Sequence, residues 1–170
     1  FRDALAAEPD AIMTAHIIVE AIDPDMPATL SHDVLTGLLR EELGYDGLII
    51  TDSLGMAGAL EKFPPEVQPR VPLMAFQAGA DVLLNPPNFD EVYTIVLDAA
   101  RSGEISRRRL DESVARILRF KLERGLFDDP FVDVDEIEDH VGTPEHLAVA
   151  DAIAEQAATV VRDDADLLPL

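Results

Sequence analysis

The apolar positions of this chain alternate between short continuous runs and longer segments of helical periodicity. The continuous runs predict strands that are buried on both faces, at residues 10–19, 47–51 and 80–84. The periodic segments predict helices at residues 31–43, 90–102 and 106–124, with a shorter helix that ends at Ala78. Strands that alternate with helices indicate a parallel α/β sheet, and the periodicity leaves open whether it is a doubly wound sheet or part of a (β/α) barrel.

Polar residues and glycines mark the predicted ends of these helices. Ser31 and Ser106 are placed to cap helix N-termini. Three glycines are placed to end helices: Gly44, Gly79 and Gly125. The segment Asp23–Pro27, which contains two Asp and two Pro, is predicted to be a turn-rich connector.

The character of the chain changes after residue 126. Residues 127–142 are aperiodic and rich in Asp and Glu, which predicts a linker. Thr143 then opens a helix that is predicted to run to about Ala157. The β-branched residues Thr159–Val161 are predicted to begin a strand.

The charge is strongly acidic, with 34 Asp and Glu against 13 Lys and Arg and a net charge of −21. Such a surface repels nucleic acid and anionic membranes, so we expect neither as a partner. Adaptation to high salt, where screening relieves the self-repulsion, and the base composition of a GC-rich genome explain the acidity equally well. No apolar run reaches the roughly 20 residues of a membrane-spanning helix. The absence of Cys excludes disulfides and thiolate metal sites.

Polar side chains stand at the ends of all three predicted strands. Asp52 follows the second strand and precedes small residues that leave room for a ligand, which suits a nucleophile or a stabiliser of positive charge. Its alternative role is to cap a helix over residues 56–60. His16 and Asn85 end the other two strands, where core packing and loop capping are the alternatives. Because carboxyl ends of parallel strands meet at one edge, these side chains are predicted to converge on one mouth.

The remaining polar residues carry no recognisable chemical motif. Dinucleotide-binding, P-loop, HExxH and Ser-His-Asp motifs are absent from the sequence. His32, His140 and His146 lack metal-ligand spacing. Arg107–Arg109 open a helix and are expected to meet the acidic surface.

Several short segments follow one another in a specific order. They are Ala11-Ile-Met-Thr-Ala-His16, Pro27-Ala-Thr-Leu-Ser31, Leu38-Leu-Arg-Glu-Glu-Leu-Gly-Tyr-Asp-Gly47, Ile50-Thr-Asp-Ser-Leu-Gly-Met56, Ala78-Gly-Ala-Asp-Val-Leu-Leu84 and Arg109-Leu-Asp-Glu-Ser-Val-Ala-Arg-Ile-Leu118. Together they closely resemble glycoside hydrolase family 3, over almost the whole chain. The first and fourth segments resemble the β-N-acetylhexosaminidase branch, because the β-glucosidase branch usually has Ser-Tyr-Asn and Ser-Asp-Trp types of sequence there.

The resemblance implies the C-terminal portion of a (β/α)8 TIM-type barrel, with about three strand–helix units, followed by a second α/β domain. The implied boundaries are residues 1–126 for the barrel part, 127–142 for an acidic linker and 143–170 for a helix and the start of the next domain. Asp163 departs from the Asn of typical family members. A partial barrel leaves sheet edges uncovered, so we expect the missing barrel half or self-association to cover them.

The resemblance also implies a retaining β-glycosidase that acts on terminal β-N-acetylglucosaminides, with β-glucosides as the alternative substrate. Asp52 matches the family's nucleophile, and Met56 a position close to it. His16 and Asn85 receive substrate-lining roles. No metal or organic cofactor is needed for this chemistry.

The family's acid/base group is expected outside this sequence. In the hexosaminidase branch it lies in a Lys-His-Phe-Pro-Gly-His-Gly type of segment, which this sequence lacks and which belongs upstream of Phe1. We therefore expect the isolated chain to lack effective catalysis. A non-catalytic carbohydrate-binding or assembly module on the same scaffold is the alternative from another class. The first residues carry no signal-peptide pattern, which leaves a cytoplasmic or a secreted location open.

Overall fold

The larger of the two units combines four short strands with several helices in its described residues. The computed structural model describes residues 2–162 and 164, and the units are Phe1–Phe127 and Asp128–Leu170. The strands of the first unit are β1 (Ala11–Met13), β2 (Ile18–Val19), β3 (Asp23–Pro27) and β4 (Leu48–Ile50). Its helices are α1 (Arg2–Leu5), a π-helix (Asp33–Glu42), α2 (Ala57–Leu60), α3 (Val71–Ala78), α4 (Phe89–Ser102) and α5 (Arg107–Glu123), with 3-10 turns at Ala28–Leu30 and Gln68–Arg70. The predicted α/β class is confirmed.

The predicted parallel arrangement lies at the centre of the first unit. β1 runs parallel to β4, with Met13 opposite Ile50. The predicted third strand, residues 80–84, is reduced to a parallel bridge between Val82 and Ile50. The Thr51 amide extends this pairing by donating to the Val82 carbonyl at 3.0 Å. β1, β4 and the segment around Val82 therefore bring their carboxyl ends to the same edge of the sheet.

The prediction of one strand over residues 10–19 is wrong. β1 ends at Met13, the chain turns near His16, and β2 then pairs antiparallel with β3. The segment predicted to be a turn-rich connector, Asp23–Pro27, is therefore a strand. Its prolines are tolerated because a two-stranded hairpin has edge positions whose backbone nitrogens need no partner.

The predicted helix ends agree with the structure. The Ser31 hydroxyl accepts a hydrogen bond from the Val34 amide (3.3 Å), and the Ser106 hydroxyl accepts one from the Arg109 amide (3.1 Å). The helix-ending glycines all have positive φ angles: Gly44 (71°), Gly79 (136°) and Gly125 (69°). Ser accepts a hydrogen bond from a free amide, and Gly adopts a positive φ angle. These are the properties for which both residue types were predicted to mark helix ends.

The core of the first unit joins the π-helix, β4 and α3. Its largest fully buried apolar side chains are Leu35, Ile49, Leu54, Val71 and Leu73. A second cluster packs α3 against α4 and the turn that follows it, through Leu73, Phe76, Ala99 and Ile105.

A buried carboxylate ties this core together. Asp81, one residue before Val82, has a side chain that is 0% exposed. Its oxygens accept hydrogen bonds from Arg40 (2.5 Å), the Ser113 hydroxyl (2.5 Å) and the Ile49 amide (3.1 Å). One side chain thus connects the π-helix, α5 and β4.

Two further guanidinium groups, of Arg109 and Arg116, each lie 3.5 Å from the same carboxylate of Asp81. Burial lowers the pKa of the Arg109 guanidinium, and the charge of Asp81 opposes that decrease. Arg107 and Arg108 pair with acidic residues one helical turn further on, as predicted. The prediction that Arg109 meets the acidic surface is wrong, because its guanidinium turns inward.

The second unit is helical in its described part. A 3-10 turn (Val134–Glu136) and α6 (Ile137–His140) lie inside the segment predicted to be a linker. α7 (Pro144–Ala157) begins as predicted, since the Thr143 hydroxyl accepts a hydrogen bond from the His146 amide (3.4 Å).

The prediction of a strand at Thr159–Val161 is wrong, because these residues are without regular structure. A strand is held by hydrogen bonds to a neighbouring strand, and nothing in the described part of this unit supplies one. Residues 163 and 165–170, which include Asp163 and most of the predicted domain start, lie outside the described residues. No described helix is both long enough and apolar enough to cross a membrane.

Candidate functional site

The carboxyl ends of the three parallel segments carry the residues that the sequence singled out. The structure brings His16, Asp52 and Asn85 together around one residue, Ser53. Each of the three has a hydrogen bond to Ser53, at a different group. The three side chains therefore converge, as predicted, with Ser53 as their common partner.

Asp52 lies in the loop that leaves β4, and its side chain is half-buried. Its Oδ1 accepts a hydrogen bond from the Ser53 amide at 2.7 Å. The alternative of a helix cap is wrong, because α2 begins only at Ala57 and the residue before it is Met56. Asp52 therefore has no role in starting that helix.

The loop around Asp52 is fixed to the neighbouring segment. Thr51 is fully buried, and its hydroxyl accepts a hydrogen bond from the Leu84 amide (2.9 Å). The Leu54 amide donates to the Leu84 carbonyl at 3.0 Å. Asp52 is thus held between two residues that are anchored to the same neighbour.

His16 uses both ring nitrogens within the protein. Nε2 lies 2.9 Å from the Ser53 carbonyl oxygen, and Nδ1 lies 2.9 Å from the Thr29 hydroxyl. The Thr29 hydroxyl is in turn 2.8 Å from that of Thr14. His16 is therefore not a histidine packed among apolar side chains but one link of a polar chain.

Asn85 and Met56 are exposed residues near Asp52 in the chain or in space. Asn85 has φ = 45°, and its Nδ2 donates to the Ser53 hydroxyl at 2.9 Å. Met56 follows the Asp52 loop with 48% of its surface exposed. Gly58 allows close approach to His16, because a Cβ on residue 58 would lie 3.0 Å from the His16 Cβ. Among the small residues after Asp52, Gly58 therefore allows close packing against His16.

Sequence reasoning missed Thr14, Thr29 and Ser53 as members of this cluster. Thr14 and Thr29 are both buried, and Thr29 stands 13 residues from the histidine that it contacts. Their side chains are ordinary in composition, and only the turn between β1 and β3 brings them to His16. A hydroxyl next to a candidate carboxylate, as in Asp52-Ser53, was the one signal available.

A separate cavity of about 610 Å³ lies beside residues that precede β1 and β4. Asp46 borders it and accepts hydrogen bonds from Arg119 (2.7 Å) and Arg116 (3.1 Å). The bond from Arg119 contributes most to lowering the pKa of the Asp46 carboxyl. Because these residues lie at the amino ends of the strands, the cavity is remote from Asp52.

The candidate site centres on one side-chain carboxylate, that of Asp52. No group of three or more His, Asp or Glu within residues 2–162 and 164 is arranged to hold a metal ion. The arrangement offers a half-buried carboxylate with one oxygen bonded to an amide and the other oxygen available. Such a carboxylate can act as a nucleophile or stabilise a developing positive charge.

Known protein families and individual proteins resemble this chain in sequence. Residues 1–120 match the family described as "Glycosyl hydrolase family 3 N terminal domain". A relative named β-N-acetylglucosaminidase/β-glucosidase, from Cellulomonas fimi, is 32% identical over 181 residues, covering 100% of this chain and 31% of the relative.

Solved structures resemble the chain as well. A glycoside hydrolase family 3 β-N-acetylglucosaminidase from Paenibacillus sp. str. FPU-7 matches with a TM-score of 0.77 and 37% identity, over 96% of this chain and 31% of that one. The β-glucoside phosphorylase BglX matches with a TM-score of 0.80 and 29% identity, over 99% and 32%. The chain thus spans about a third of the length of these proteins.

Proposed function

Because this chain belongs to glycoside hydrolase family 3, we propose that it is the nucleophile-bearing part of a retaining β-glycosidase. The family membership confirms the resemblance found in the sequence. The observation that carries the proposal is Asp52 at the carboxyl end of β4, oriented by the Ser53 amide and followed by small residues. This is the edge of an α/β sheet at which enzymes build their sites.

In the proposed reaction, Asp52 attacks the anomeric carbon of a bound β-glycoside. The bond to the aglycone breaks, and a covalent glycosyl-enzyme forms on the carboxylate. Water then attacks the same carbon, frees the carboxylate and releases the sugar with its original configuration. Since the Ser53 amide occupies Oδ1 of Asp52 at 2.7 Å, Oδ2 is the oxygen left to form the bond.

The general acid/base of the proposed enzyme is contributed from outside this sequence. The Lys-His-Phe-Pro-Gly-His-Gly type of segment that carries this group in the resembling branch does not occur here. Expulsion of a poor leaving group depends on protonation of the glycosidic oxygen. The isolated chain is therefore expected to act only on substrates whose leaving group needs little protonation.

The scaffold in this proposal is a (β/α)8 barrel, of which residues 1–126 supply about three strand–helix units. In support, β1 has no partner on its outer side among the described residues, and Met13 and Ile17 are 53% and 59% exposed. An apolar groove of about 230 Å³ lies beside β1 and the π-helix. The rest of the barrel, or a second copy of this chain, covers this face in the proposed protein. Residues 127–142 and 143–170 then connect to a second α/β domain.

The proposed substrates are terminal β-N-acetylglucosaminides. The names of the Paenibacillus and Cellulomonas relatives both contain β-N-acetylglucosaminidase. The second of these names adds β-glucosidase, so a β-glucoside is the alternative substrate. His16, Met56 and Asn85 border the space in which the sugar would lie. The competing function is a non-catalytic carbohydrate-binding or assembly module, in which Asp52 has no chemical role.

The first test is hydrolysis of an activated aryl β-N-acetylglucosaminide, with the corresponding β-glucoside for comparison. We expect slow turnover of the first substrate, and a loss of at least about 1000-fold in Asp52→Asn, because that variant keeps the shape but not the nucleophile. Glu66→Gln, an exposed change outside the site, is the matched control and should leave the rate unchanged.

Equal rates in the wild type and Asp52→Asn would contradict the proposed nucleophile. If the wild type gives no turnover of either glycoside, the same assay on a form extended upstream decides between enzyme and module. Turnover there that depends on Asp52 supports the glycosidase, and continued absence supports the binding module.

A further inference from the structure

We propose that His16 is a positioning residue, which holds Ser53 and through it the carboxylate of Asp52. The inference rests on the proposed role of Asp52 as nucleophile. It assigns His16 a different role from contact with the sugar, because both of its ring nitrogens are engaged within the protein.

The hydrogen-bond partners fix the protons of the neutral His16 ring. The Ser53 carbonyl oxygen can only accept, so Nε2 carries the proton and donates to it at 2.9 Å. Nδ1 is then an acceptor, and the Thr29 hydroxyl donates a hydrogen bond to it at 2.9 Å. The Thr29 oxygen in turn accepts from Thr14 at 2.8 Å. The polar chain therefore has one direction, from Thr14 through Thr29 and His16 to Ser53.

The far end of this chain is anchored. Thr29 is 0% exposed and Thr14 is 9% exposed, so water does not compete strongly for their hydroxyls. Ala28, beside Thr29, donates its amide to the Ile17 carbonyl at 2.7 Å. Gly58 adds a steric limit, because its α-carbon lies so close that a Cβ there would be 3.3 Å from the His16 carbonyl oxygen. The His16 ring is thus held at both nitrogens, and its backbone packs closely against Gly58.

Ser53 is fixed at three separate groups. Its carbonyl accepts from His16, its hydroxyl accepts from Asn85 at 2.9 Å, and its amide donates to Asp52 Oδ1 at 2.7 Å. The first two bonds hold the residue in place, and the third transmits that placement to the carboxylate. Of these two bonds, the one from His16 comes from a half-buried side chain, whereas the one from Asn85 comes from an exposed side chain.

This geometry has a consequence for the reaction. A carboxylate that keeps Oδ1 on a fixed amide presents Oδ2 in one direction, as attack along a single line on an anomeric carbon requires. Releasing Ser53 allows the Asp52 carboxylate to rotate, which lowers the rate of bond formation without removing a contact to the sugar. The expected signature is a loss in the rate constant with little change in affinity.

Two substitutions of His16 separate the two ring nitrogens. The amide nitrogen of Gln reaches the position of Nε2, so His16→Gln retains a donor to the Ser53 carbonyl. The amide nitrogen of Asn reaches only the position of Nδ1, so His16→Asn loses that donor. Thr29→Val and Thr29→Ser form a second pair, in which only Ser keeps the hydroxyl that binds Nδ1. His32→Gln, at an exposed histidine outside the site, is the control.

The structural measurement is amide hydrogen exchange at Ser53 in the 170-residue chain, which needs no activity. We expect exchange to accelerate at least about tenfold in His16→Asn and Thr29→Val. The acceleration should be smaller in His16→Gln, which keeps the donor to Ser53 but loses the acceptor for Thr29, and exchange should stay near wild type in Thr29→Ser and His32→Gln. Unchanged Ser53 exchange in both His16→Asn and Thr29→Val, with both variants folded, would overturn the inference.

The chemical measurement is covalent trapping by 5-fluoro-N-acetyl-β-glucosaminyl fluoride, followed by mass spectrometry. In this step an Asp52 oxygen bonds to the anomeric carbon, and fluoride leaves with the electron pair of the broken bond. We expect the trapping rate constant to fall about 10- to 100-fold in His16→Asn and Thr29→Val, with half-saturation unchanged. Recovery should be partial in His16→Gln, which keeps only the donor to Ser53, and nearly complete in Thr29→Ser. Equal trapping rates across all variants would overturn the positioning role.

The two measurements distinguish this inference from the proposed function. If wild-type chain, including a form extended upstream, acquires no label on Asp52, the proposed nucleophile fails, while hydrogen exchange still decides whether His16 holds Ser53. If Asp52 is labelled at equal rates in all variants, the nucleophile stands and the positioning role of His16 fails.

Discussion

Single charged residues in this chain have very different surroundings, and their energetic importance differs accordingly. Asp46 is an exposed carboxylate that pairs with Arg116 and Arg119, and its side chain is 62% exposed. Asp81 is 0% exposed and balances three guanidinium groups, of which that of Arg40 is 2.5 Å away. Because exposed ion pairs are screened by water while buried charges depend on their partners, Asp81 is expected to be the more important carboxylate for stability.

Asp81→Asn is therefore expected to destabilise the chain strongly. The change keeps the size of the side chain but leaves Arg40 and Arg109 buried without their counter-charge. We expect the free energy of unfolding to fall by about 3–5 kcal/mol, as measured by urea denaturation followed by circular dichroism.

Asp46→Asn is the matched control for this prediction, since it removes an equally charged group that is largely exposed. We expect it to lower the free energy of unfolding by less than about 1 kcal/mol. Equal effects of the two substitutions would show that the guanidinium groups around Asp81 find water or other partners when the carboxylate is lost.

At the scale of the elements, the connections between helices and strands limit which substitutions the chain tolerates. Gly79 joins α3 to the third parallel segment with φ = 136°. A Cβ at this position would lie 2.8 Å from the Thr36 hydroxyl oxygen and 3.1 Å from the Leu35 Cβ. The Thr36 hydroxyl is itself bonded to the Ala78 carbonyl at 2.8 Å. The joint therefore requires glycine both for its φ angle and for the approach of the π-helix.

Gly79→Ala and Gly103→Ala separate these two requirements. Gly103 also has a positive φ (84°), but nothing lies within 4 Å of a Cβ added there. We expect Gly103→Ala to reduce the free energy of unfolding by about 1–2 kcal/mol through backbone strain alone, and Gly79→Ala by about 2–4 kcal/mol because overlap with Thr36 adds to it. Urea denaturation of both variants checks this, and equal losses would mean that the π-helix moves aside at little cost.

The elements also explain why strand prediction was less accurate than helix prediction. Helix ends were found at Ser31, Ser106 and Gly79, because a capping hydroxyl or a positive φ is a property of one residue and its near neighbours. The run over residues 10–19 was read as one strand, whereas the chain turns near His16. That turn is stabilised by Thr29 and Ser53, which are remote in sequence, and so no local pattern revealed it.

At the scale of the whole molecule, the net charge of −21 sets how the chain responds to salt. Self-repulsion among like charges destabilises the compact state, and salt screens it over a Debye length of about 3 Å at 1 M. If the acidity reflects adaptation to salt, the melting temperature should rise between low salt and about 1 M NaCl. Circular dichroism at a series of salt concentrations measures this.

Sodium sulfate at the same ionic strength is the comparison for the salt experiment. A similar gain in the two salts indicates screening, while a larger gain in sulfate indicates exclusion of that ion from the protein surface. A melting temperature that does not respond to NaCl would favour the base composition of the genome as the reason for the acidic sequence.

The sequence alone determined the α/β class, the helix ends and the residues at the strand ends. These follow from hydrophobic period, from capping chemistry and from motif order, all of which are written in neighbouring positions. The same information marked Asp52 as the carboxylate to examine.

Only the tertiary structure decided how Asp52 is held. The bonds from His16 and Asn85 to Ser53 join residues 37 and 32 positions apart. The inward turn of Arg109 towards Asp81 joins residues 28 positions apart. Such pairs form because folding buries polar groups, which must then find hydrogen-bond partners. The packing of the elements decides which partner lies within reach, and no local pattern along the chain shows it.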